Sequence, residues 1–134
     1  MKKALLVKKE GMHVNAEITQ ILNKLGYDVD LASSFTEAAE KIRDGVDAVI
    51  TGLYLERQIR TCFDTVEKSG IFVAITARDS GVPHVALATI APEALTDSDK
   101  KLLEGIKVID LAALNREELE RVLTEDLSDN SGSN

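Results

Sequence analysis

Residues 3–53 read KALLVKKEGMHVNAEITQILNKLGYDVDLASSFTEAAEKIRDGVDAVITGL, and this stretch decides the fold. Ala4–Val7 is a short unbroken apolar run, the mark of a strand covered on both faces. Val14, Ile18, Ile21, Leu22 and Leu25 then recur at helical spacing, and Gly26 follows as a stop. Tyr27–Leu31 alternates apolar and polar residues, which predicts a second strand. Ser34-Phe35-Thr36-Glu37 places a hydroxyl three residues before a carboxylate, a capping box. The helix it opens is expected to turn Phe35, Ala38, Ala39 and Ile42 inward and to end near Gly45. Asp47–Thr51 is the third strand. Strand, helix, strand, helix, strand at such short intervals requires parallel pairing with right-handed crossovers.

Downstream, two β-like runs lie close together, Ile71–Thr76 and His84–Thr89. Residues 77–83 between them are too few for a parallel crossover, which takes a dozen or more. Read as a helix over about 65–80, the earlier segment puts Phe63, Val66, Gly70, Val73 and Ala77 on one stripe and leaves through Gly81 and Pro83. His84–Thr89 is then the fourth strand, although the β-branched and aromatic residues of 71–76 keep a strand there as the alternative. Thr96-Asp97-Ser98 caps a short helix carrying Leu102 and Leu103, with a stop at Gly105. Ile106–Leu111 is the fifth strand, and Asn115 to Glu118 caps a last helix with Leu119, Val122 and Leu123 inward. The chain is thus expected to be an α/β protein: one doubly wound, five-stranded parallel sheet in a three-layer sandwich over residues 1–124. The Asp, Ser, Asn and Gly of 125–134 cannot bury a core and predict a disordered tail.

Composition narrows the function. The core must be aliphatic, because the chain has no tryptophan, two tyrosines and three phenylalanines. A formal charge of −7 argues against polyanionic partners. The densest basic run is only Lys2, Lys3, Lys8 and Lys9, so neither nucleic acid nor a membrane is expected as partner. The single cysteine, Cys62, reads as a free thiol in a reducing, cytoplasmic setting. The apolar run of 4–7 ends at Lys8-Lys9-Glu10 and is too short for a signal peptide. No phosphate loop, paired cysteines or nucleophile-base pair is found, so no cofactor, metal or enzymatic activity is expected.

In order, spacing and apolar pattern, the stretches 4–10, 25–29, 47–53, 82–89 and 115–119 resemble a response-regulator receiver domain, a flavodoxin-like fold; the likeness fails at about 54–80. The resemblance implies a site of five positions. Two adjacent acidic residues that hold magnesium are matched here by Lys8 and Lys9, and the phosphoryl-accepting aspartate by Gly52. The hydroxyl ending the fourth strand is Thr89, or Thr76 if 71–76 is that strand, and the lysine after the fifth strand is matched by Ala112. Magnesium takes oxygen ligands, so two ammonium groups in place of two carboxylates repel the cation, and Gly52 offers no nucleophile. The expectation is a degenerate receiver, a pseudo-receiver that does not accept a phosphoryl group and acts by binding a protein.

Lys8 and Lys9 carry three readings: a pair with Glu10 or Glu56 that fills the metal's volume, an anion site at the carboxyl edge of the sheet, or a contact for a partner. The resemblance points to Ser98–Leu123 as the surface for a protein partner or a homodimer. His13 lacks the aspartate and glycine that a cobalamin-binding domain of this architecture sets around its histidine; Gly11 and Ala16 stand there instead. His84 opens a strand and reads as structural.

Overall fold

The computed structural model describes residues 2–8, 14–53, 69–90 and 92–127. Five strands, β1 (Lys2–Val7), β2 (Tyr27–Ala32), β3 (Ala48–Thr51), β4 (His84–Thr89) and β5 (Lys107–Asp110), form one sheet in the order β2-β1-β3-β4-β5. Every neighbouring pair is parallel, with Val7 beside both Ala32 and Thr51, Thr51 beside Leu87, and Thr89 beside Asp110. The helices are α1 (Val14–Lys24), α2 (Phe35–Asp44), α3 (Ser69–Asp79), α4 (Asp97–Leu102) and α5 (Arg116–Leu127), with a single 3-10 turn at Pro92–Ala94.

Both faces of the sheet are covered, as unbroken apolar strands require. Ile18, Ile21 and Leu22 of α1 and Leu119 and Leu123 of α5 pack on Leu6, Ile50 and Ile109. On the opposite face Ala38 and Ile42 of α2 and Val73 and Ala77 of α3 pack on Leu5, Val7 and Val49. Ile71 and Ala74 meet Leu87, Leu95, Leu103 and Ile106 beside them. Residues 71–76 are therefore helical, and the strand alternative is excluded by a stripe of small and branched side chains that fits one helix face.

The caps follow the sequence. Asn115 Oδ1 accepts the Glu118 N–H (2.8 Å), and Glu118 Oε1 accepts the Asn115 N–H (3.3 Å). Thr96 and Asp99 form the same reciprocal box at α4. At α2 the Ser34 hydroxyl accepts the Glu37 N–H, but the Glu37 carboxylate reaches one residue further back, to the Ser33 N–H. Gly45 ends α2 at φ +102°, where a side chain would be strained, and its N–H donates to the Ile42 carbonyl.

Two expectations need correction. Phe35 does not turn inward; it begins the first turn of α2 and is exposed, while Ala38 and Ile42 one and two turns on are buried. Of the two leucines at the end of α4, Leu102 is exposed and Leu103 enters the core, since adjacent residues at a helix end point in different directions. Finally, α5 does not stop at 124. It continues to Leu127, which is only 3% exposed and whose carbonyl accepts the Tyr27 hydroxyl. Hydrophobic contact with the α1–α5 core outweighs the polar composition around it. The remainder of the expected tail, 128–134, lies outside the described residues.

Candidate functional site

The order β2-β1-β3 reverses chain direction across the sheet at β1 and β3, so their carboxyl ends form the switch point where doubly wound folds place ligands. Lys8 follows β1 there and Gly52 follows β3. The Gly52 N–H donates to the Val7 carbonyl (2.8 Å), and the Lys8 N–H donates to the Ala32 carbonyl (2.9 Å), so both backbones continue the ladder beyond the strands.

Lys8 is 5% exposed, and its side chain lies along Gly52. A Cβ on Gly52 would stand 3.5 Å from Lys8 Cδ and 3.9 Å from Cε, ordinary van der Waals contact. The lysine stem thus occupies space beside the position where the receiver pattern carries its aspartate. Among the described residues no carboxylate lies within ion-pair reach of the Lys8 ammonium. Burial pushes the amine down from its ordinary 10.5 to about 8, since the charged form loses its hydration.

Thr51 is fully buried, and its hydroxyl donates to the Gly52 carbonyl (3.0 Å). Thr89 is buried at the end of β4, two strands from Lys8. Ala112 lies on the turn after β5, exposed, with its N–H donated to Asp110 Oδ1 (3.0 Å). The same carboxylate oxygen accepts the Ala113 N–H (3.3 Å), so Asp110 closes its own turn. The structure therefore sets Lys8 against Gly52, with Thr89 on the same sheet edge and Ala112 beyond it. Lys9, Glu10, His13, Glu56 and Cys62 lie outside the described residues.

Sequence reading missed Gly70. A Cβ there would fall 1.6 Å from the Gly52 carbonyl oxygen and 2.9 Å from that of Leu53, so only glycine lets α3 approach the end of β3 this closely. The Gly70 N–H donates to the Leu53 carbonyl (2.9 Å) and fixes that approach. Its place on a stripe of small residues was visible in the sequence; the backbone it would meet was not.

The whole described chain superposes on solved receiver domains. The fold is that of a response-regulator receiver domain. A CheY-like receiver domain from Methanospirillum hungatei matches with a TM-score of 0.70 at 16% identity, covering 100% of this chain and 99% of that one. The N-terminal domain of a response regulator/sensory box/GGDEF protein from Carboxydothermus hydrogenoformans matches with a TM-score of 0.69 at 21% identity, covering 98% of each. A response regulator from Thermotoga maritima, determined in complex with Mg2+ and BeF, matches with a TM-score of 0.67 at 22% identity, covering 95% of this chain and 100% of that one. No family model and no curated protein matches by sequence. Among the described residues no helix is long and apolar enough to cross a membrane.

Proposed function

We propose that this receiver-fold chain is a regulatory module that neither accepts nor turns over a phosphoryl group and acts by binding a protein partner. The observation that carries this reading is the Lys8 stem laid along Gly52, which sets a buried cation against a glycine that offers no nucleophile. Phosphoryl transfer needs an acceptor and a divalent cation to neutralise developing charge. The Thermotoga maritima relative holds Mg2+ and BeF; here a buried ammonium would repel such a cation.

The partner surface we assign is Ser98–Leu123. Within it Leu102 is 46% exposed and Val108, on edge strand β5, is 38% exposed, and Lys100, Lys101, Glu104 and Lys107 of the same stretch are exposed as well. Exposed aliphatic groups in a stretch that carries charges of both signs suit a specific interface, and a second copy of the chain is the simplest occupant. Sedimentation equilibrium tests this. The wild type is expected to self-associate with concentration, equally with or without acetyl phosphate and Mg2+, and Leu102→Glu with Val108→Glu to remain monomeric. Association that rises with acetyl phosphate contradicts phosphorylation independence, and a wild type that stays monomeric overturns the homodimer.

A further inference from the structure

We propose that the switch point between β1 and β3 holds a small oxyanion, a phosphate or a carboxylate, on the Lys8 ammonium. Two independent observations converge on this point. One is topological: the reversal of strand order falls between β1 and β3, and Lys8 and Gly52 are the residues that leave those strands there. The other is chemical. Lys8 is 5% exposed, yet among the described residues nothing of opposite charge meets it.

Buried charges in folded proteins are paired or bound to ions, because an isolated one forfeits its hydration. The backbone on either side supplies no counter-charge: the Val7 and Ala32 carbonyls are neutral and each already accepts one hydrogen bond, from the Gly52 and Lys8 N–H groups. The Gly52 carbonyl is taken by the Thr51 hydroxyl. What remains is an ammonium with three donors, a combination that suits the several acceptors of an oxyanion better than a lone halide. Burial lowers the amine to about 8, so most of it is still charged at neutral pH and a bound anion relieves the cost. The inference stands apart from the partner surface, and its test uses neither Mg2+ nor acetyl phosphate.

The experiment is an amide chemical-shift titration of the full chain with inorganic phosphate, and separately with acetate, at pH 7 and constant ionic strength set with chloride. Saturable shifts are expected at Thr51, Gly52 and Leu53 for at least one of the two anions. Response to phosphate alone assigns a phosphoryl-class ligand, and response to acetate alone assigns a carboxylate. Lys8→Met keeps an unbranched stem over Gly52 and is expected to weaken binding about tenfold or more. Gly52→Asp, whose Cβ fits at 3.5 Å from Lys8 Cδ, supplies an internal counter-charge and is expected to abolish it. A wild type with no saturable shift up to about 10 mM of either anion, or Lys8→Met or Gly52→Asp binding as well as the wild type, overturns the proposal.

Discussion

Lys8 costs the fold stability at neutral pH. Lowering an amine from 10.5 to about 8 corresponds to on the order of 3 kcal/mol held against the charged form in the folded state. The sign follows from proton counting. Between about pH 8 and 10.5 the unfolded chain keeps a proton on this amine that the folded chain has lost, so stability rises with pH across that window. Below it the cost is fully present. Lys8→Met, which keeps the stem and removes the charge, is expected to stabilise the protein by roughly 1–3 kcal/mol at pH 7. Urea unfolding of both proteins should show the gap closing as pH approaches 10.5; a gap independent of pH contradicts the assignment of the cost to charge. The identities of Lys8, Gly52 and Ala112 were legible in the sequence, because strand ends can be counted. That the Lys8 stem lies on Gly52 was not, since pairing of β1 with β3 creates the contact.

Gly70 shows how one element is fixed on another. Helix propensity alone favours Gly70→Ala by about 1 kcal/mol. Contact decides the opposite, because the new Cβ would meet the Gly52 carbonyl at 1.6 Å and α3 would have to move away from β3. Gly70→Ala is expected to cost at least about 3 kcal/mol in urea unfolding, more than an ordinary overpacked core position. Neutral or higher stability would mean that α3 does not sit against β3 as described. The α3 segment also marks the limit of sequence reading. Its β-branched residues suggested a strand, while the shortness of 77–83, the stripe through Gly70, Val73 and Ala77 and the exit at Gly81 and Pro83 argued for the helix that forms. Phe35 was misplaced because periodicity gives the direction of a stripe but not where the first turn of a helix leaves the core.

The whole molecule was legible where apolar runs and caps set the order of elements, and the short intervals between strands made their pairing parallel. It was not legible at the carboxyl end, where composition placed the boundary at 124 and tertiary contact extends α5 to Leu127. Truncation after Thr124 removes a leucine that is 3% exposed and the carbonyl that accepts the Tyr27 hydroxyl. A loss of about 2–4 kcal/mol is expected in urea unfolding, and no loss would return the boundary to 124. The proposed function turns on whether this receiver fold takes up a phosphoryl group. Amide NMR spectra recorded before and after adding Mg2+ and beryllofluoride test it most directly. Mg2+ is expected to add no shift at Thr51, Gly52 and Thr89 beyond what beryllofluoride alone produces; saturable shifts at those three amides that require Mg2+ and beryllofluoride together would contradict the proposed function.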